Sequence, residues 1–228
     1  RDRVPPRQTG RSGSTIRPVM SEVRQIWIPG PEDRLEAMLR VANCPEAGAV
    51  VAHPHPLHGG TMHNPVVFHV ERELHRLGWT TLRFNFRGTI PRDGADDIGA
   101  AAPWLRGLLS GKPLYLVGYS FGSLCSLRFL QDHLHHCVAG FVAIGLPVRE
   151  YDLGDLSRVN IPMAVVQGSE DEFGSQEEVR NALKDTPQPA AIEEVAGAGH
   201  LFPRRAGDAA AAVVRMMARI GAPLAGPT

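Results

Sequence analysis

The chain has 228 residues, with 24 basic side chains balancing 24 acidic ones and a formal charge of zero at neutral pH. That length suits one well-cored domain, and the balanced charge gives no reason to expect nucleic acid or an anionic membrane surface as a partner. Three cysteines, Cys44, Cys125 and Cys137, form no Cys-x-x-Cys pair and no even-numbered framework, so free thiols in a reducing, cytoplasmic setting are expected. No apolar run reaches the roughly 18 residues of a membrane span, and the basic start of the chain lacks the apolar stretch of a secretory signal.

Residues 1–20 hold five arginines against the single acid Asp2, and Val4, Ile16, Val19 and Met20 are their only larger apolar side chains. Such a stretch buries too little surface to offset its ordering entropy and reads as a disordered tail, leaving residues 21–228 as the folded domain. From Val23 onward, short β-prone runs alternate with longer helical ones. Strands are predicted at 25–28, 35–41, 48–52, 80–86, 113–117, 138–144, 163–167 and 191–195. Several are apolar on both faces, as in a parallel sheet covered by helices on each side. Pro29-Gly30-Pro31-Glu32-Asp33 joins the first two and is too short for a crossover, so that pair should be antiparallel. Helices are predicted at 65–77, 96–109, 121–133, 175–184 and 206–220; the first carries Val66, Val67, Val70, Leu74 and Leu77 on one face. Strands and helices in this alternation specify an α/β domain with a sheet of about eight strands and right-handed crossovers.

The motif that gives this domain a chemistry is Gly118-Tyr119-Ser120-Phe121-Gly122, which fits G-x-S-x-G. It follows the apolar run 114–117 and precedes the helical run from 121. In the order strand, sharp turn, helix, the turn exposes a strained serine at the top of the sheet, and the glycines let the backbone pass close on either side. The helix N-terminus beneath it favours developing negative charge. Ser120 is therefore the candidate nucleophile, against the plainer alternative of a structural serine in a tight turn.

At this point the sequence resembles the α/β-hydrolase superfamily, and more closely its small bacterial members with a His-Pro-His-Pro segment. The matching residues are His53-Pro54-His55-Pro56-Leu57-His58-Gly59-Gly60-Thr61-Met62-His63-Asn64-Pro65, then Arg83-Phe84-Asn85-Phe86-Arg87-Gly88, together with Ser120, Asp171 and His200. The resemblance covers about residues 23–220. It implies an α/β-hydrolase fold, a mostly parallel sheet whose second strand is antiparallel, and no cofactor. In this fold the chain order is Ser, then Asp or Glu, then His. Of the histidines after Ser120, His133, His135 and His136 lie on or just beyond the helix that the serine opens. His200 instead follows a strand and the Gly197-Ala198-Gly199 turn, as a base should. The acid lies in Gly168-Ser169-Glu170-Asp171-Glu172, at the carboxyl end of a strand. The family pattern, three residues after the glycine, implies Asp171, with Glu170 and Glu172 as solvated neighbours.

An oxyanion hole needs two backbone N–H groups. One is Phe121, the residue after the serine. The other should come from the loop after strand 48–52, where Pro54 and Pro56 have no N–H and His55 does; Leu57 is the fallback. His53, His55, His58 and His63 crowd one loop and invite a metal, but no cysteine or carboxylate joins them, and structural roles are the expectation. Arg87 reads as a loop anchor. The stretch after Gly88 is short for the family, and residues 145–162 are too few for a helical lid, so the site should be open.

These residues specify a cofactor-independent serine esterase of the α/β-hydrolase fold, acting on a small ester or acyl substrate through Ser120, Asp171 and His200, with His55 and Phe121 as oxyanion donors. A peptidase, thioesterase or acyltransferase would use the same three residues. Dienelactone-type chemistry is disfavoured because position 120 is not cysteine. A non-catalytic scaffold on this fold is the rival from another class, and it would not need all three residues.

Overall fold

A computed structural model describes residues 22–132 and 137–224; the predicted tail and the histidines at 133, 135 and 136 lie outside the described residues. Among the described residues eight strands form one sheet: β1 (Val23–Pro29), β2 (Arg34–Arg40), β3 (Gly48–Ala52), β4 (Thr80–Phe84), β5 (Leu114–Tyr119), β6 (Gly140–Ile144), β7 (Met163–Gly168) and β8 (Ala191–Val195), in the spatial order β1-β2-β4-β3-β5-β6-β7-β8. Only β2 runs against the rest, antiparallel to both β1 and β4. The short connection through Pro29–Asp33 leaves it no alternative. From β4 to β8 every pairing is parallel, and each crossover carries a helix or a longer connection.

Among the described residues five α-helices cover the faces: α1 (Pro65–Arg76), α2 (Pro91–Gly107), α3 (Phe121–Asp132), α4 (Gln176–Ala182) and α5 (Ala206–Arg219). Because side chains alternate across a strand, each apolar strand feeds two cores. Ala49 and Val51 pack with Val66, Val67, Val70 and Leu74 of α1 and with Val213 and Met217 of α5. Val50 and Ala52 face the opposite layer, with Ile98 and Leu105 of α2 and Leu124 and Leu127 of α3. This two-sided burial is the reason the central strands read as unbroken apolar runs.

Several boundaries shift by a residue or more from the sequence expectation, and two of the shifts have a clear local cause. α2 starts at Pro91, five residues before the predicted 96, because a proline whose preceding residue is extended is preorganised for the first helical position. Consequently only Thr89 and Ile90 separate Gly88 from the helix. β4 stops at Phe84 rather than 86, since the Phe86 N–H turns away from the ladder to the Nε2 of His53, at 3.0 Å.

Residues 145–162 contain one 3-10 turn, Leu156–Arg158, and no other regular element. They form a strap lying back on α3: Leu153 and Leu156 join the core, and Gln131 Nε2 donates to Leu153 O at 2.6 Å. No lid can be built from them.

The Arg83–Gly88 stretch ties the carboxyl edge of the sheet together. Arg87 Nε donates to Asp97 Oδ1 at 2.6 Å, the Arg87 N–H donates to Oδ2 at 3.0 Å, and Nη1 reaches Glu32 at 3.3 Å. Asp97 is wholly buried, and burial pushes its carboxyl above the usual range even beside this partner. Arg87 is thus an anchor between the loop after β4 and α2. Removing one member of a buried pair leaves an uncompensated charge. Arg87→Met should therefore cost about 3 kcal/mol in urea unfolding, and Asp97→Asn added to it should restore part of that loss. A single variant within about 0.5 kcal/mol of wild type would show that the pair holds nothing.

Candidate active site

β5 ends at Tyr119 and α3 begins at Phe121, so the chain must reverse direction through Ser120 alone. Ser120 does this with φ of 53°, in the left-handed region, at a strain on the order of 1 kcal/mol. Its N–H is held by Ile144 O at 2.8 Å. Ser123 braces the turn from inside, its Oγ donating to Gly118 O at 2.7 Å and accepting from the Ile144 N–H at 3.2 Å. The motif glycines are there for space. A Cβ on Gly118 would lie 2.4 Å from Gly122 O, and one on Gly122 would lie 2.5 Å from Ala52 O. α3 can therefore start directly against the end of β3.

Ser120 Oγ lies 2.7 Å from His200 Nε2. On its other side, His200 Nδ1 lies 3.0 Å from each Asp171 oxygen. Asp171 and His200 are buried, whereas Ser120 is partly open to solvent. With the carboxylate accepting from Nδ1, that nitrogen carries the proton and Nε2 is left free to accept from the serine hydroxyl. The arrangement can take a proton from Ser120 and hold the imidazolium that results. The structure thus brings together the three residues singled out in the sequence.

Sequence reasoning passed over the groups that hold them. Gln167 closes the otherwise apolar strand β7. Its Nε2 donates to Asp171 Oδ2 at 2.9 Å and to Gly174 O at 2.8 Å, while its Oε1 accepts from the Leu146 N–H at 2.9 Å. The Phe173 N–H donates to Asp171 Oδ1 at 2.9 Å, so the carboxylate has a fixed plane. Tyr119 Oη donates to His200 O at 2.9 Å, and burial raises its phenol well above the usual value. A lone polar residue ending a buried strand was the available signal for Gln167. Tyr119 carried no such signal.

Glu170 is exposed, as expected. Glu172 corrects the sequence reading: it is no mere solvated neighbour, because its Oε2 accepts from the His200 N–H at 3.0 Å. Hydrogen bonds from its own N–H and from that of His200 hold its carboxyl below the usual range. It shapes the turn that presents the imidazole.

The loop after β3 lies alongside. The His55 ring sits edge-on to Phe121, 4.6 Å between centroids. Among the described residues, neither the His55 nor the Phe121 N–H has a hydrogen-bond acceptor. The Leu57 N–H, the fallback donor, is bound to His55 Nδ1 at 3.2 Å. The loop's far end is clamped by β4 and the residue after it: Arg83 Nη1 donates to Met62 O at 2.6 Å, and Asn85 Oδ1 accepts from the Met62 N–H at 2.9 Å. Among the described residues no group of histidines, cysteines and carboxylates has metal-binding geometry. Leu57, Ile90 and Leu201 stand exposed on the loops that follow β3, β4 and β8.

His53 has a different role from its neighbours. Fully buried, it accepts the Phe86 N–H at Nε2 and meets Pro54 O from Nδ1 at 2.6 Å. Burial pushes its pKa down to about 4. Between that value and about 6.5 the unfolded chain binds the proton and the folded chain does not, so stability falls as pH drops through this window. Over the whole window the loss amounts to about 3 kcal/mol. The stability advantage of wild type over His53→Asn should therefore shrink by this amount between pH 7 and pH 4, as measured by urea unfolding at each pH. A gap independent of pH would mean that His53 is not buried neutral.

Comparison with known proteins agrees with this geometry. Residues 46–221 match the family described as alpha/beta hydrolase domain. An uncharacterised protein of Rickettsia prowazekii (strain Madrid E) is 33% identical over 198 residues, 78% of this chain and 82% of that protein. Among solved structures, an α/β serine hydrolase without a lid from Xanthomonas campestris is similar with a TM-score of 0.76 at 28% identity, covering 87% of this chain and 94% of that one. An α/β serine hydrolase homologue from Coxiella burnetii gives 0.75 at 30% identity, over 84% and 96%.

Proposed function

The chain belongs to the α/β-hydrolase domain family, and from that premise we propose that it is a serine hydrolase of short-acyl carboxylic esters working through an acyl-enzyme. The observation that carries the reading is the continuous line from Ser120 Oγ through His200 to Asp171, at 2.7 and 3.0 Å.

His200 Nε2 takes the hydroxyl proton as Ser120 Oγ attacks the ester carbonyl carbon. The carbonyl oxygen becomes an oxyanion, met by the N–H groups of His55 and Phe121 at the start of α3. Collapse breaks the bond to the alcohol, which leaves with the proton from His200. Water then attacks the acyl-Ser120 carbonyl and gives its proton to Nε2. The proton returns to Oγ as the acid departs. Asp171 stays ionised throughout and keeps the imidazole in its working tautomer. No cofactor enters the scheme. Three free thiols suit a cytoplasmic setting, and no helix among the described residues is long and apolar enough to cross a membrane.

The acyl preference follows from the missing wall. Each methylene removed from water contributes about 0.8 kcal/mol, but with residues 145–162 lying back on α3, carbons beyond the first few have little to pack against. Leu57, Ile90 and Leu201 offer scattered apolar rim rather than a tunnel.

Three experiments test the reading. Ser120→Ala should fold, yet lose fluorophosphonate labelling and ester turnover; labelling at the wild-type rate would sink the assignment. Asp171→Asn should lose about 10³–10⁴ in kcat, whereas Glu170→Gln should lose little. Across p-nitrophenyl esters, kcat/KM should peak from acetyl to butyryl and fall by octanoyl. A steady rise to dodecanoyl would contradict the open site, and cleavage of peptides or thioesters in preference to esters would move the enzyme to another substrate class.

A further inference from the structure

The Pro54 carbonyl that His53 meets belongs to the peptide linking Pro54 to His55, and the N–H of that same peptide is the His55 N–H. A trans peptide carries its C=O and N–H on opposite edges, so fixing one aims the other. The partners assign the tautomer. A main-chain N–H can only donate, so His53 Nε2, which receives the Phe86 N–H at 3.0 Å, is unprotonated, and Nδ1 carries the hydrogen given to Pro54 O at 2.6 Å. Gly60 packs closely against the same peptide. A Cβ on Gly60 would lie 2.0 Å from Pro54 O, and the Gly60 N–H donates to His55 O at 3.1 Å. Through His53, the orientation of this one peptide is referred back to buried Phe86 just beyond β4, although the loop itself is half exposed.

We infer that His53 is a positioning residue for the oxyanion hole, holding the Pro54–His55 peptide with its N–H turned toward the substrate oxygen. The inference rests on the proposed role of the His55 N–H. A flipped peptide would present a carbonyl oxygen to the oxyanion, so the cost falls on the transition state rather than on substrate binding. The hydrogen bond from Nδ1 also polarises the peptide and makes its N–H a better donor.

The amide nitrogen of asparagine sits near the place of Nδ1, and the amide oxygen of glutamine reaches the place of Nε2. His53→Asn therefore keeps the donor to Pro54 O and gives up the bond to Phe86. His53→Gln keeps the bond to Phe86 and gives up the donor. The experiment measures kcat and KM on a short-acyl p-nitrophenyl ester, and the Ki of a trifluoromethyl ketone, whose adduct with Ser120 carries an oxyanion. His53→Gln should lose about 100-fold in kcat with little change in KM, and the ketone should weaken in proportion. His53→Asn should stay within about tenfold of wild type on both counts. Gly60→Ala, whose Cβ would lie 2.0 Å from the same carbonyl oxygen, should reproduce the glutamine result and stands in should that variant fold poorly. Equal activity in the two His53 variants, or a kcat loss without loss of ketone affinity, would overturn the inference while leaving the serine hydrolase reading intact. Absence of Ser120-dependent turnover in wild type would overturn both.

Discussion

Everything at the carboxyl edge of this sheet depends on a reversal made by one residue. β5 must give way to α3 at Ser120, and a left-handed φ on a residue that is not glycine persists only where its surroundings over-determine it. Here they do. Ile144 O holds the Ser120 N–H, Ser123 braces both β5 and β6, and α3 presses so closely on the end of β3 that position 122 has no room for a Cβ. The same close approach sets the loop after β3 beside the helix N-terminus. The reactive hydroxyl and the groups meant to receive the developing charge are therefore placed by a single packing constraint.

Around that turn, main chain and side chains are tied in a consistent order. Gln167 and the Phe173 N–H set the plane of Asp171, Asp171 sets the tautomer of His200, and Tyr119 and Glu172 hold the His200 backbone at its carbonyl and its N–H. On the opposite flank, β4 supplies Arg83, with Asn85 and the Phe86 N–H just beyond it, to fix the two ends of the histidine-rich loop. Most of these groups are buried or half-buried with a partner in place, so the network can be rigid.

Much of this was legible in the sequence, for physical reasons. The buried central strands announce themselves as apolar runs, and the Gly-x-Ser-x-Gly motif has meaning because a strand precedes it and a helix follows. The start of α2 was misread because Asp93 and Gly94 look like loop formers when Pro91 is not weighed as a first helical residue. Glu172 was misplaced because an exposed acid gives no sign that it accepts a backbone N–H from a residue 28 positions away. Tyr119 escaped for the same reason, its partner His200 lying 81 positions away. The histidine cluster suggested a metal by composition alone, and the hydrogen bonds of His53 and His55 give those two side chains other work.

The account turns on whether Ser120 carries the acyl group between two half-reactions. Mixing the protein with an excess of a p-nitrophenyl butyrate ester, quenching in acid within the first turnover and mapping the digest by mass spectrometry reads this directly. An acyl-enzyme at Ser120 should give a burst of nitrophenol approaching one equivalent and a butyryl adduct confined to the peptide containing Ser120. An adduct on any other residue would contradict it.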